Sequence, residues 1–243
     1  MRFARTFGSV FAAITLSALV ACSPSSKEEG RETADIGAAA ADATGLGPAE
    51  TTSSEYKLPG AIDPDVLGDR VTEVWARVYR PKQLADGEKH PILVFQHGNH
   101  GTCGHGTNPR QDDSVQYTIS GTCPDGYVVT PNHEGYAYIA ERLASWGYIV
   151  VSINANRGIT GGSGASGDSG LNLARGRLIL KHLSLLSQWN ATAGSTPESL
   201  GVDLAGKLDF QNVGMMGHSR GGEGVAPRTS STATRAARGP RRS

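Results

Sequence analysis

The chain has 243 residues, and its 23 basic and 23 acidic side chains cancel to no formal net charge at pH 7. That balance excludes the basic footprint of a nucleic-acid-binding protein, and 38% hydrophobic with 19% charged residues describes a soluble globular protein. Glycine, at 32 residues, is abundant and gathers in loops.

Met1 to Cys22 reads as a targeting segment: Arg2 and Arg5 give a positive start, and Phe11 to Val20 an apolar core too short to persist as a membrane span. Leu19-Val20-Ala21-Cys22 resembles the bacterial lipobox, which implies removal of residues 1–21 and lipidation of the Cys22 thiol. The alternative is an ordinary secretory signal cleaved near Ala21. Ser23 after the cysteine points to the outer membrane in a two-membrane cell. Residues 22–56 are rich in Ala, Gly, Ser, Thr, Glu and Asp with few large apolar side chains, the composition of a disordered tether.

The chain has 3 cysteines. With Cys22 taken by an anchor, Cys103 and Cys123 remain as a pair in an exported chain, for which one disulfide is the default. Closing a loop of that length is worth about 3 kcal/mol in chain-entropy models. A metal site built from Cys103 with His97, His100 and His105 is the alternative, although it crowds the ligands onto one Gly-rich loop without a regular spacing.

Residues 57–225 read as an α/β domain with a mostly parallel sheet and crossover helices. Thr72 to Tyr79 alternates polar and apolar residues, a half-buried strand stopped by Pro81. Lys82 to His90, with the turn dipeptide Asp86-Gly87, is expected to join it to the next strand as a hairpin. Pro91 to Phe95 is that strand, and its continuous apolar run suits a position covered on both faces. His97-Gly98-Asn99 leaves its carboxyl end, where open α/β sheets place their ligand crevice. Gly101 to His133 is a long polar insertion. Tyr136, Ile139, Ala140 and Leu143 fall at helical spacing, with Asn132 as a cap and Gly147 at the far end. Tyr148 to Ile153 is another buried strand, Leu171 to Trp189 the next helix, and Leu204 to Phe210 leads into a strand at Val213 to Met216. His182, inside the second helix, reads as a packing or surface residue.

That last strand runs into Gly217-His218-Ser219-Arg220-Gly221-Gly222. An apolar run feeding Gly-x-Ser-x-Gly is what a nucleophile elbow needs: a strand, a strained turn that lifts the serine, and glycines that let neighbouring backbone pass closely. Ser219 is the candidate nucleophile. The succession of strand, His-Gly loop, helix, strand, helix and elbow from Val71 to Val225 resembles the first half of the α/β-hydrolase superfamily, nearest the chlorophyllase, platelet-activating-factor acetylhydrolase and polyester-hydrolase branch.

The resemblance implies a serine hydrolase without cofactor or metal, acting on a small-molecule, lipid or polymer ester through an acyl-Ser219 intermediate. It assigns the oxyanion hole to the backbone amides of Asn99 and Arg220, and close backbone passage to Gly98, Gly217 and Gly221. His97 comes before the nucleophile and is expected to brace its loop. The triad order of that superfamily is Ser, then Asp or Glu, then His. After Ser219 the sequence holds neither histidine nor aspartate, only Glu223, too close to serve as the usual acid. Residues 226–243 change character to Ala, Pro, Arg, Thr, Ser and Gly, with Arg228, Arg235, Arg238, Arg241 and Arg242. This suits a disordered tail produced by truncation or a shifted reading frame near Val225. The expectation is an inactive, lipid-anchored hydrolase fragment; the alternative is a non-catalytic surface binding protein on a degenerate hydrolase scaffold.

Overall fold

A computed structural model describes residues 45–106, 114–164 and 167–226. The expected signal peptide, Cys22, most of the expected tether and nearly all of the Arg-rich tail lie outside these residues.

The chain begins its main sheet with β1 (Thr51–Lys57), makes a small two-stranded excursion through β2 (Ala61–Asp63) and β3 (Leu67–Thr72), and returns as β4 (Trp75–Pro81). Then follow β5 (His90–Gln96), an insertion carrying β6 (Cys103–His105), α1 (Gln116–Ser120) and β7 (Tyr127–Val129), and the helix α2 (Ala137–Ser145). The remaining elements are β8 (Ile149–Asn154), α3 (Asn172–Ala191), β9 (Leu208–Gly217) and α4 (Arg220–Val225).

Five strands form one sheet in the order β1-β4-β8-β5-β9. β8 and β9 flank β5 in parallel, whereas β1 with β4 and β4 with β8 pair antiparallel. The sheet is therefore mixed, not mostly parallel. The expected hairpin between β4 and β5 is also absent, because β8 lies between them. The reason is burial. Every residue of β8 is buried, so its apolar run is best satisfied in the middle of the sheet with a neighbour on each edge.

Period-two alternation assigns the two faces. Ile92 and Val94 of β5, with Ile149, Val151 and Ile153 of β8, face one core with Leu178, Ile179, Leu183, Leu186 and Trp189 of α3. Phe95, Val150 and Tyr79 face the other, against Ala140 and Ala144 of α2. The two crossovers, β5 through α2 to β8 and β8 through α3 to β9, step across the sheet in opposite directions. Right-handed connections then put their helices on opposite faces.

The expected disordered tether over residues 22–56 overlaps a strand at its end. Thr51–Lys57 is an edge strand whose ladder with β4 pairs Thr51 with Pro81 and Lys57 with Trp75. Its outward residues are polar, as an edge strand requires, and it buries a single large side chain, Tyr56. Tyr56 meets His182 of α3 through a 2.6 Å hydrogen bond between its hydroxyl and Nδ1, and stacks edge-on against Trp189.

The insertion is ordered where it is described. Cys103 and Cys123 form a disulfide with Cα atoms 5.7 Å apart, which removes Cys103 from any metal site. Asn132 does not cap a helix; its side-chain amide donates to Gly101 O and Asn156 Oδ1, and a 3-10 turn over Asn132–Tyr136 precedes α2.

Candidate active site

The carboxyl ends of the adjacent strands β5 and β9 carry the two loops singled out in the sequence. Pairing in register brings Gln96 opposite Gly217, so the His97-Gly98-Asn99 loop and the elbow leave the sheet side by side. His218 N–H donates to Gln96 O at 3.2 Å, and the Tyr136 hydroxyl donates to the same carbonyl at 3.1 Å.

Ser219 sits between β9 and α4 with φ 53° and ψ −127°. Leu171 is the other non-glycine residue with positive φ among the described residues. Such a conformation costs of order 1–3 kcal/mol and persists only where the surroundings enforce it. Here they do so by close backbone passage. A Cβ on Gly217 would lie 2.3 Å from Gly221 C, and one on Gly221 would lie 2.2 Å from Gln96 O. A Cβ on Gly98 would lie 2.9 Å from Ser219 Cβ and 3.0 Å from His218 O. Gly98, Gly217 and Gly221 thus fold α4 back onto the end of β5, and Ser219 is left exposed to solvent.

The amides of Asn99 and Arg220 are not paired with other backbone groups among the described residues. Arg220 opens α4, and a helix leaves its first amides without internal partners. The Asn99 side chain is drawn away from Ser219: Oδ1 accepts from Gly161 N–H at 2.7 Å and from Arg175 Nη2 at 3.3 Å.

His97 is buried and braces this loop. Ala155 N–H donates to its Nε2 at 2.9 Å, which leaves the proton on Nδ1 for donation to Gly98 O at 2.9 Å. Burial, reinforced by the Arg175 charge, holds its pKa well below the ordinary histidine range, so the ring stays neutral. With both nitrogens engaged it has no lone pair for a serine proton. His218 and His100 are nearer the elbow surface, their rings parallel with centroids 6.0 Å apart.

Sequence reasoning missed Arg175. It is fully buried, and its guanidinium donates to His97 O at 3.1 Å, Asn99 Oδ1 and Thr160 Oγ1 at 3.3 Å. None of these partners is charged, and its Nε has no partner. Burial first, and Arg220 second, pull its pKa down to about 10, so it stays protonated at neutral pH. The signal was a charged residue in the apolar helical series Ala174, Leu178, Ile179; Gln96, whose Nε2 donates to Arg175 O at 3.1 Å, belongs to the same unit.

A second polar cluster lies toward the other edge of the sheet. Glu55, His133 and Glu134 bring ligand-type atoms within 4.8 Å of one another. Arg77 already supplies the cation there, 3.5 Å from Glu55 and 3.0 Å from Glu134. Both ring nitrogens of His133 are also engaged, Nδ1 by the Asn154 amide at 2.9 Å and Nε2 by Glu55 at 3.1 Å. The cluster is an ionic network closed by Arg77, whose Nε is left without a partner.

No protein-family model matches the chain, and no curated protein matches it. What the site can do rests on its own residues. An exposed serine on a strained turn, two amides beside it without a backbone partner among the described residues, and a buried cation on the same loop favour negative charge developing next to Ser219 Oγ.

Proposed function

We propose that the chain carries the nucleophile half of a serine hydrolase of the α/β-hydrolase type, acting on carboxylic esters. The observation that carries this reading is the backbone of Ser219, held at φ 53° between β9 and α4 by glycines that admit no side chain.

In the proposed reaction Ser219 Oγ bonds to the ester carbonyl carbon, its proton passes to a base, and the carbonyl oxygen takes up the negative charge. The N–H groups of Asn99 and Arg220 stabilise that oxyanion; losing one such donor costs about 3 kcal/mol. Collapse of the tetrahedral intermediate breaks the bond to the alkoxide, which leaves with a proton and yields the acyl-Ser219 ester. Water then repeats the sequence and frees the acid.

His97 is fully engaged and does not supply that base, and none of these 243 residues after Ser219 is a histidine or aspartate, so these residues by themselves are expected to turn over little or nothing. Hydrolysis of p-nitrophenyl acetate tests the reading. The 243-residue chain should stay near the buffer rate. A chain continued past Val225 in a reading frame that supplies an Asp and a later His should hydrolyse the ester and lose that activity on Ser219→Ala. Serine-independent turnover in both would overturn the proposal, and inactivity of both would favour a binding protein.

The lipobox resemblance at Cys22 adds a proposed membrane anchor and an exported location. No helix among the described residues is long and apolar enough to cross a membrane. On the lipobox reading, Cys22→Ser should move the protein from the membrane to the soluble fraction; unchanged membrane association would remove the anchor.

A further inference from the structure

A cleft of about 450 Å³ opens between β3, α1 and the loop after β8. That volume falls within the range of small-molecule sites. We infer that it is a subsite for the hydrocarbon tail of the ester, which rests on the hydrolase reading of Ser219.

One wall of the cleft is tied to the loop that faces the elbow. Gly161 forms part of the lining, and its N–H is tied at 2.7 Å to the side chain of Asn99, whose own backbone amide is the proposed oxyanion donor. Asn99 is therefore the residue that links the cleft to the proposed reacting centre, its side chain on the Gly161 side and its backbone amide offered to the ester carbonyl.

The walls of the cleft are fixed in advance. Gly158 N–H donates to Thr118 O at 2.9 Å, and Arg157 Nη1 donates to Tyr117 O at 3.0 Å, which lock α1 to the loop after β8. The contacts are close enough to demand glycine. A Cβ on Gly161 would lie 2.5 Å from Val115 Cγ1, and one on Gly158 would lie 2.4 Å from Val71 O. The Cys103–Cys123 bridge encloses α1 in its loop and restricts the same wall. A pre-formed wall reduces the ordering cost of binding.

The chemistry of the lining suits an alkyl chain. Val71, Val115 and Ile119 supply apolar surface, and Ile119 stands 79% exposed at the cleft. Arg70, the cationic residue of the lining, is already paired by Nε and Nη2 with the Asp69 carboxylate. An anionic group finds no free cation there, whereas an alkyl chain covers Ile119 and removes both surfaces from water.

Equilibrium affinities measured by ligand-observed NMR test the assignment, using the full chain carrying Ser219→Ala so that no acyl-enzyme forms. Three esters separate the possibilities: methyl octanoate with a long acyl tail, octyl acetate with a long alcohol tail, and methyl acetate with neither. One or both long esters should bind at least tenfold tighter than methyl acetate, and the ester that does so identifies which side of the bond occupies the cleft. Ile119→Glu should abolish that preference, as should the milder Ile119→Thr in part. Ile62→Glu, at another exposed apolar residue, should leave it intact. Equal affinity for all three esters, or a preference indifferent to Ile119, overturns the subsite. Because binding is read without Ser219, failure of catalysis leaves this result standing, and Ser219-dependent hydrolysis without chain-length preference would sink the cleft alone.

Discussion

Arg175 donates from Nη1 to the carbonyl oxygen of His97 at 3.1 Å, so a guanidinium buried in α3 holds the loop opposite the nucleophile elbow. The same side chain reaches Asn99 and Thr160, and its hydrogen bonds are the main ties between α3 and the loop that offers the Asn99 amide. Arg175→Met would take a donor from three acceptors; Asn99 Oδ1 keeps the Gly161 N–H, while His97 O and Thr160 Oγ1 are each worth about 1–3 kcal/mol when buried and unpaired, offset in part by relief of burying a charge. We predict a net loss of about 1–3 kcal/mol in urea unfolding and faster amide exchange over residues 97–101 and 158–162. Arg175→Lys should keep the charge but recover only part of the protection, because an ammonium lacks the planar fork. Unchanged exchange in Arg175→Met would show that the loop is held by other contacts.

The glycine at position 221 offers a sharper geometric test. Its substituent would meet the Gln96 carbonyl oxygen at 2.2 Å, a backbone atom of β5 that cannot rotate away. Gly221→Ala should cost about 3 kcal/mol, the upper end for overpacking, and distort the elbow. Gly135→Ala, which meets nothing within 4 Å, should fall within about 0.5 kcal/mol of the parent. Equal stabilities in urea for the two variants would contradict the close approach of α4 to β5.

His182 makes stability depend on pH. Burial lowers its pKa from 6.5 to about 3. The folded state therefore binds fewer protons than the unfolded chain between those values, so the contribution is full above pH 6.5 and declines as pH falls toward 3. Each pH unit in that window should remove about 1.4 kcal/mol from this group. Urea midpoints between pH 7.5 and 5 should fall accordingly, and His182→Gln should flatten the lower part of the curve. His97, buried and neutral, adds to the decline with the same sign. A profile unaffected by His182→Gln would mean that its ring is protonated in the fold.

Reduction of the disulfide is the fourth test. Cys103 and Cys123 stand 20 residues apart, a loop for which the bridge is worth about 3 kcal/mol. Cys103→Ser with Cys123→Ser should lower stability by that order and increase proteolysis within residues 106–130. Indifference to reducing agent in both measurements would show that the insertion is held by α1 and β6–β7 alone.

Much of the frame was legible because burial writes itself into sequence. β5 and β8 are apolar runs, α2 and α3 have helical spacing, and the elbow has its glycines. β1 was not legible: Thr51 to Ser54 is polar, and one buried tyrosine gives no periodicity. The position of β8 between β4 and β5 was hidden for another reason. Local turn chemistry at Asp86-Gly87 suggests adjacency, but the partner that wins the space lies far along the chain. At the site, Ser219 and its glycines announce themselves by pattern, whereas Arg175 acts through three loops that only folding assembles.

The Tyr56–His182 hydrogen bond also sets an order of assembly during synthesis. Its two ends are 126 residues apart, so at 5–20 residues per second Tyr56 leaves the ribosome about 6–25 s before its partner. β4 is made soon after β1 and can zip onto it in that interval. The face of Tyr56 that α3 will cover stays open to water and to other nascent chains until the helix arrives.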